Sequence, residues 1–186
     1  MTVAAVVLAA GGGSRFAGDG HKLTAMLRGK PVVAWAVEHA LEAGLDESVA
    51  VTGAVDLSGL LPPTVTVLHN PDWERGMATS LTLAVTHADR AGHEAIVVGL
   101  GDQPFVEPEA WRLVAASDAS PIVAAVYDGR RRNPVRLARS VWALLDSDGD
   151  EGARSLMRRR PDLVSGVACP GTPADVDTVE DLTKWS

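Results

Sequence analysis

Three glycines, a hydroxyl and two cations lie within a dozen residues of one another: Gly11, Gly12, Gly13, Ser14, Arg15 and Lys22. Glycines let backbone N–H groups approach an anion closely, and Arg15 and Lys22 add fixed positive charge beside them. The chemistry of that set is phosphate binding. A second set is Gly101-Asp102-Gln103-Pro104, where a carboxylate follows an apolar run. Mg²⁺ takes one or two carboxylates and completes its shell with phosphate oxygens and water, so Asp102 is a candidate metal ligand. Two common phosphate motifs are absent. Gly11-x-Gly13 begins a dinucleotide fingerprint, but Phe16 stands where the third glycine belongs. The Walker pattern also fails, because Gly20 is followed by His21 and Lys22 by Leu23.

The elements around these residues read as alternating strands and helices. Val3 to Ala9 is continuously apolar, as a strand buried on both faces must be. It leads into the glycines, and the loop Ala10 to Gly29 is long enough to imply a functional role. Pro31 suits a first helical turn, and Val32 to Leu41 follow at helical spacing, stopped by Gly44. Ser48 to Thr52 and Thr64 to Leu68 read as strands, with a turn of helix over 56–61. Ala78 to Ala91 reads as a helix after the irregular segment His69 to Met77. Ala95 to Val98 is a further buried strand that delivers Asp102. Helices are expected over 107–117, 140–145, 151–158 (capped by Asp150) and 179–185, and strands over 122–127, 134–137 and 163–167. Asp128 to Arg132 reads as a turn. The pattern predicts an α/β fold, a three-layer Rossmann-like arrangement with a mostly parallel central sheet and helices on both faces. Ligands of such sheets sit beyond the carboxyl ends of the strands, where both glycine-rich loops fall.

Composition narrows the function classes. The 186 residues are expected to form one domain, 1–186, and 46% hydrophobic content suffices for a core. A net charge of −7 argues against a general nucleic-acid binder. No run reaches the roughly 18 apolar residues of a membrane helix. The single cysteine, Cys169, excludes an internal disulfide and fits a cytoplasmic protein. His21 reads as a solvated loop histidine, and Trp73 as either a stacking platform or a loop anchor.

Read together, Leu8-Ala9-Ala10-Gly11-Gly12-Gly13-Ser14-Arg15-Phe16 and Lys22 resemble the signature of nucleotidyltransferases that act on the molybdenum cofactor, with the CTP:molybdopterin cytidylyltransferases as the nearest subgroup. The resemblance continues through Asn70-Pro71-Asp72-Trp73, Gly76 to Leu81, Gly101 to Pro104, Arg131 to Val135, Gly149 to Arg154 and Asp175 to Leu182. It implies a nucleotide-diphospho-sugar transferase type of fold and Mg²⁺-dependent transfer of CMP from CTP to a molybdopterin phosphate. It implies nucleotide binding by Leu8, Ala9, Ala10, Gly11, Gly12, Gly13, Ser14, Arg15, Lys22, Gly76, Met77 and Ser80. Arg15, Lys22 and Asp102 would be catalytic, and Asp102 with Asp177 would hold Mg²⁺. Asn70, Asn133 and Asp175 would face the acceptor. A transient molybdoenzyme or chaperone partner is implied as well. Ala10 stands where the guanylyl branch of the family carries glycine. The pattern departs from the family at Ala17, which lengthens the loop before Lys22, and at Arg132, where glycine is usual. Alternatives are another NTP, a sugar or alcohol phosphate acceptor, or an NAD(P)H-dependent reductase on a similar fold.

Overall fold

The computed structural model describes residues 1–186. Nine strands and five helices form in the order β1 (Val3–Ala9), β2 (Met26–Leu27), β3 (Lys30–Pro31), α1 (Val32–Glu42), β4 (Glu47–Thr52), β5 (Thr66–His69), α2 (Met77–Ala91), β6 (Ala95–Leu100), α3 (Pro108–Ala116), β7 (Ile122–Tyr127), β8 (Arg130–Ala138), α4 (Ala153–Arg159), β9 (Val164–Ala168) and α5 (Val179–Trp185). Seven strands make one sheet in the order β5-β4-β1-β6-β8-β7-β9. β1 pairs in parallel with β4 and β6, and only β8 runs against its neighbours. The mostly parallel α/β sheet is therefore as the sequence predicts.

β1 shows why its run is unbroken. Val3, Ala5, Val7 and Ala9 enter one core, packed by Val33, Val37 and Ala40 of α1 and Trp111 and Val114 of α3. Ala4, Val6, Leu8 and Ala10 enter the other, packed by Leu81, Ala84 and Ala88 of α2 and Leu156 of α4. A strand clad on both sides has no polar face to show. Gly99 in β6 is required by packing, because a Cβ there would lie 2.5 Å from the Trp111 ring.

Several boundaries differ from the expectation. Arg130 to Arg132 belong to strand β8 rather than to a turn, and the hairpin closes at Asp128-Gly129. The three arginines are exposed, so the charged run hides a strand whose end stands clear of the core. Pro134 is tolerated where the β7–β8 register shifts and no ladder N–H is needed. Residues 139–144 form a 3₁₀ helix, and no helix forms over 56–61. Pro31 ends the small β2–β3 ribbon and precedes α1 instead of lying within it. α4 is preceded by Gly152 at φ +52°, so Asp150 is not its cap.

Candidate active site

β1 and β6 lie side by side with Leu8 opposite Leu100. Their carboxyl ends release the glycine loop and Asp102 next to each other, where the chain leaves β1 for β4 on one side and leaves β6 for β7 on the other. The Gly101 N–H donates to the Leu8 carbonyl at 2.9 Å. A Cβ on Gly101 would stand 2.9 Å from the Ala9 methyl, so only glycine lets the two strand ends close this far. Above them opens a cleft of about 460 Å³.

At its centre the Lys22 ammonium donates to Asp102 Oδ2 at 2.6 Å and to Asp177 Oδ1 at 2.6 Å. Arg15 lies 3.0 Å from the other Asp177 oxygen. The Lys22, Asp102 and Asp177 side chains are 13%, 17% and 22% exposed, whereas Arg15 is 76% exposed. Burial opposes the charged form of Lys22, but the Asp102 and Asp177 carboxylates outweigh it and hold the ammonium above its ordinary range. Asp175 enters the same cleft and accepts a hydrogen bond from Gln103 at 2.7 Å. Desolvation against the cleft wall and the nearby Asp102 charge push the Asp175 carboxyl upward.

His21 is half-buried, not a free loop residue. Its Nδ1 accepts the Leu23 N–H, which leaves Nε2 protonated to donate to the Gly11 carbonyl at 3.0 Å. The ring thereby ties the glycine loop to the segment that carries Lys22. Burial lowers its pKa, so the neutral ring that makes this tie is favoured. Trp73 packs over Gly12, where a Cβ would meet the ring at 2.9 Å, and it also lines the cleft.

α2 presents Gly76, Met77 and Ser80 to the cleft. Gly76 holds φ +107°, and a Cβ there would lie 2.4 Å from the Gly149 backbone. The Ala78 N–H donates to the Gly149 carbonyl at 2.9 Å and the Gly149 N–H to the Arg75 carbonyl at 3.1 Å. These bonds dock the 148–152 loop on the start of α2 and bring Asp150 and Arg154 to the rim. A smaller annex of about 50 Å³ opens there, walled by Leu81, Val98, Val135 and Met157, with Asn133, Asp150, Glu151 and Arg154 as its polar groups.

Of the residues expected at the site, Leu8, Ala9, Ala10, Gly11, Gly12, Gly13, Arg15, Lys22, Gly76, Met77, Ser80, Asp102, Asp175 and Asp177 line the cleft. Ser14 is exposed and does not. Asn70 is buried, and its amide donates to Thr79 and Ser80 at 2.8 Å each, so it holds α2 rather than facing a ligand. Asn133 reaches the annex only. Arg132 is exposed on β8 and lines neither space. Sequence reasoning missed Leu23, Glu74, Leu100, Asp150 and Arg154 as lining residues; the Gly149 to Arg154 motif was the signal for Asp150 and Arg154, and the irregular segment before Met77 the signal for Glu74.

Asp102 Oδ1 is buried and has no hydrogen-bond partner. An acceptor left bare beside a cleft fits a cation arriving with its own oxygen ligands. No three His, Cys, Asp or Glu side chains converge as a metal cage. A metal here would therefore draw most of its shell from phosphate and water, as Mg²⁺ does.

The chain is 34% identical to the nicotine blue oxidoreductase of Paenarthrobacter nicotinovorans, across 98% of this chain and 95% of that one. Rv0371c of Mycobacterium tuberculosis superposes with a TM-score of 0.83 at 27% identity, covering 99% of this chain and 97% of that one. A second structure of Rv0371c, a complex with manganese, gives 0.77 at 26% identity, covering 100% and 98%. A nucleotidyl transferase from Methanothermobacter superposes with a TM-score of 0.81 at 26% identity, covering 98% and 95%. Residues 5–164 match the family described as the MobA-like NTP transferase domain, and the chain belongs to that family of nucleotidyltransferases.

Proposed function

We propose that this enzyme transfers CMP from CTP to the phosphate of a molybdopterin-type acceptor, with Mg²⁺ and release of pyrophosphate. The observation that carries the reading is the meeting of Lys22 and the glycine loop with Asp102 at the β1–β6 switch point. Loop amides, Arg15 and Lys22 form the anion-binding side, and Asp102 with its bare Oδ1 forms the metal-binding side. An acceptor phosphate oxygen attacks the α-phosphorus of the nucleotide, and the bond to the pyrophosphate oxygen breaks with its electron pair. The nucleophile is already an anion, so no protein base is required. Catalysis is then positioning and charge neutralisation. Mg²⁺ held by Asp102 would offset charge on the phosphates.

The two ends of the cleft differ in character. Trp73 and Gly12 close the side over β4, where we place the nucleoside. Arg154, Asp150 and the Asn133 annex close the side over β6 and β8, where we place the acceptor. Ala10 is buried at 4% exposure, with its methyl against Gly53. That extra methyl narrows the wall between β1 and β4, which supports a pyrimidine over a purine. We further read residues 1–186 as one cytoplasmic domain that hands its product to a molybdoenzyme or its chaperone. No helix is long and apolar enough to cross a membrane.

A second reading is a nicotinamide-dependent reductase, favoured by the 34% identity to nicotine blue oxidoreductase along nearly the whole chain. One panel separates the two. Pyrophosphate release is measured with each NTP, Mg²⁺ and phosphate acceptors, and NAD(P)H oxidation is followed with quinonoid dyes. Release with CTP and no nicotinamide oxidation supports transfer; the converse supports the reductase.

A further inference from the structure

Lys22 and Arg15 already have a negative partner without any ligand, and it comes from the far end of the chain. Asp177 places one oxygen 2.6 Å from Lys22 and the other 3.0 Å from Arg15, across 155 residues of sequence in the first case. Its carboxylate thus bridges the two cations as a phosphate would. The segment that carries it is fixed in place. The Val176 N–H donates to the Asp102 carbonyl at 2.8 Å, and Val176 is fully buried against Leu27 and Val32. The Asp177 and Thr178 N–H groups both donate to Asp181, and Thr178 caps α5. At the other end, Arg28 donates to the Trp185 carbonyl at 2.8 Å. Asp177 is therefore held at the cations by its own surroundings and does not merely collapse onto them.

We infer that Asp177 is a specificity-determining residue that acts as an internal competitor for the anion site. A weakly charged ligand meets cations that are already neutralised. A ligand with several phosphate charges outbids a single carboxylate and takes over Lys22 and Arg15. A divalent cation arriving with the phosphates gives the displaced carboxylate a new partner and lowers the barrier further. Asp177 would thereby select polyphosphates bound to a metal over free monophosphates, including monophosphates released by breakdown of the substrate. This inference rests on the reading of Lys22 as part of an anion site.

The test is calorimetric titration of tripolyphosphate and, separately, of inorganic phosphate into the intact protein, without divalent metal, for wild type, Asp177→Asn and Lys22→Gln; the preference for tripolyphosphate should narrow in Asp177→Asn, and an unchanged ratio would overturn the selective role. Thermal unfolding checks that each variant is folded. Asp177→Asn is isosteric and removes the carboxylate that bridges Lys22 and Arg15 while leaving Asp102 on Lys22, so it should bind tripolyphosphate about tenfold more tightly, since one lost carboxylate at this range is worth about one charge-assisted hydrogen bond. The gain should shrink when Mg²⁺ is added, and Lys22→Gln should lose most binding. If Asp177→Asn binds no more tightly than wild type while Lys22→Gln still loses binding, the anion site stands and the competitor role is overturned. A weakening of Asp177→Asn confined to the Mg²⁺ titration would assign Asp177 to the metal alone and also overturn it. If Lys22→Gln binds like wild type, the anion site fails and the inference falls with it.

Discussion

Lys22→Met separates the charge cluster from its surroundings with little change of volume. In the native protein the ammonium makes two charge-assisted hydrogen bonds of 2.6 Å to carboxylates that are only 17% and 22% exposed. Each such bond is worth about 1.5–3 kcal/mol, and removing the cation leaves Asp102 beside Asp175 with no cation, while Asp177 keeps only the exposed Arg15. Partial access to water returns some of this, so the net loss of stability is about 2–4 kcal/mol, or roughly 5–15 °C in Tm for a chain of this size. The deficit has a definite pH dependence. The variant's carboxylates are relieved by protonation, so its deficit shrinks as pH falls into the carboxylate range. On the wild-type side, Lys22 is held above its ordinary 10.5, so its stabilisation is complete below that pH and is lost as pH rises through the higher folded value. Turnover should fall about 10²–10³-fold, the usual loss when one preorganised donor to a developing charge is removed. Denaturant melts across pH and steady-state kinetics measure both. A variant as stable as wild type at neutral pH, with kcat unchanged, would refute the cluster's role.

Three further perturbations probe the frame and the cleft. Gly76→Ala forces a side chain into φ +107° and onto the Gly149 backbone at 2.4 Å; it should destabilise by about 2–4 kcal/mol in denaturant melts, against about 1 kcal/mol for Gly129→Ala, which has φ +74° and open space. Ala10→Gly should shift the CTP-to-GTP ratio of kcat/KM toward GTP by about 1–3 kcal/mol, read from competing pyrophosphate-release assays. Glu47 accepts from His87, His93 and Thr66 at 2.9, 2.8 and 2.8 Å. Burial raises its pKa, but these bonds outweigh that and hold it below the ordinary 4.5, so its stabilisation is present above that pH and lost as pH falls through the lower folded value. Glu47→Gln should then cost about 1–2 kcal/mol near neutral pH and little in acid, by chemical denaturation.

The parts of the molecule legible in the sequence are those whose cause is local. β1 is an unbroken apolar run because both its faces are covered, and the glycines after it fit the Trp73 ring over Gly12 and the positive φ of Gly13 beside His21. Asp102 was legible for the same reason, as the polar residue that follows a buried strand. Long-range contacts were not legible. Nothing near Lys22 announces that Asp177 neutralises it, and nothing near Gly76 announces the Gly149 backbone that forbids a Cβ there. β8 was misread because its first three residues are arginines, and charge says loop only when a strand end is assumed to be covered. Asn70 shows the opposite error. A polar residue in a site-like motif proved to be a buried brace whose amide fixes the first turn of α2. The family resemblance located that motif correctly in the fold, while the hydrogen bonds decide what each residue within it does.

Nucleotidyl transfer at the Lys22–Asp102 centre is tested most directly by incubating the enzyme with CTP labelled at the α-phosphate, Mg²⁺ and a molybdopterin phosphate acceptor, followed by separation of the products. Label should appear in the acceptor with equimolar pyrophosphate, and both should be lost in Asp102→Ala. Label that stays in CTP with wild-type enzyme, or that reaches the acceptor equally well with Asp102→Ala, would contradict it.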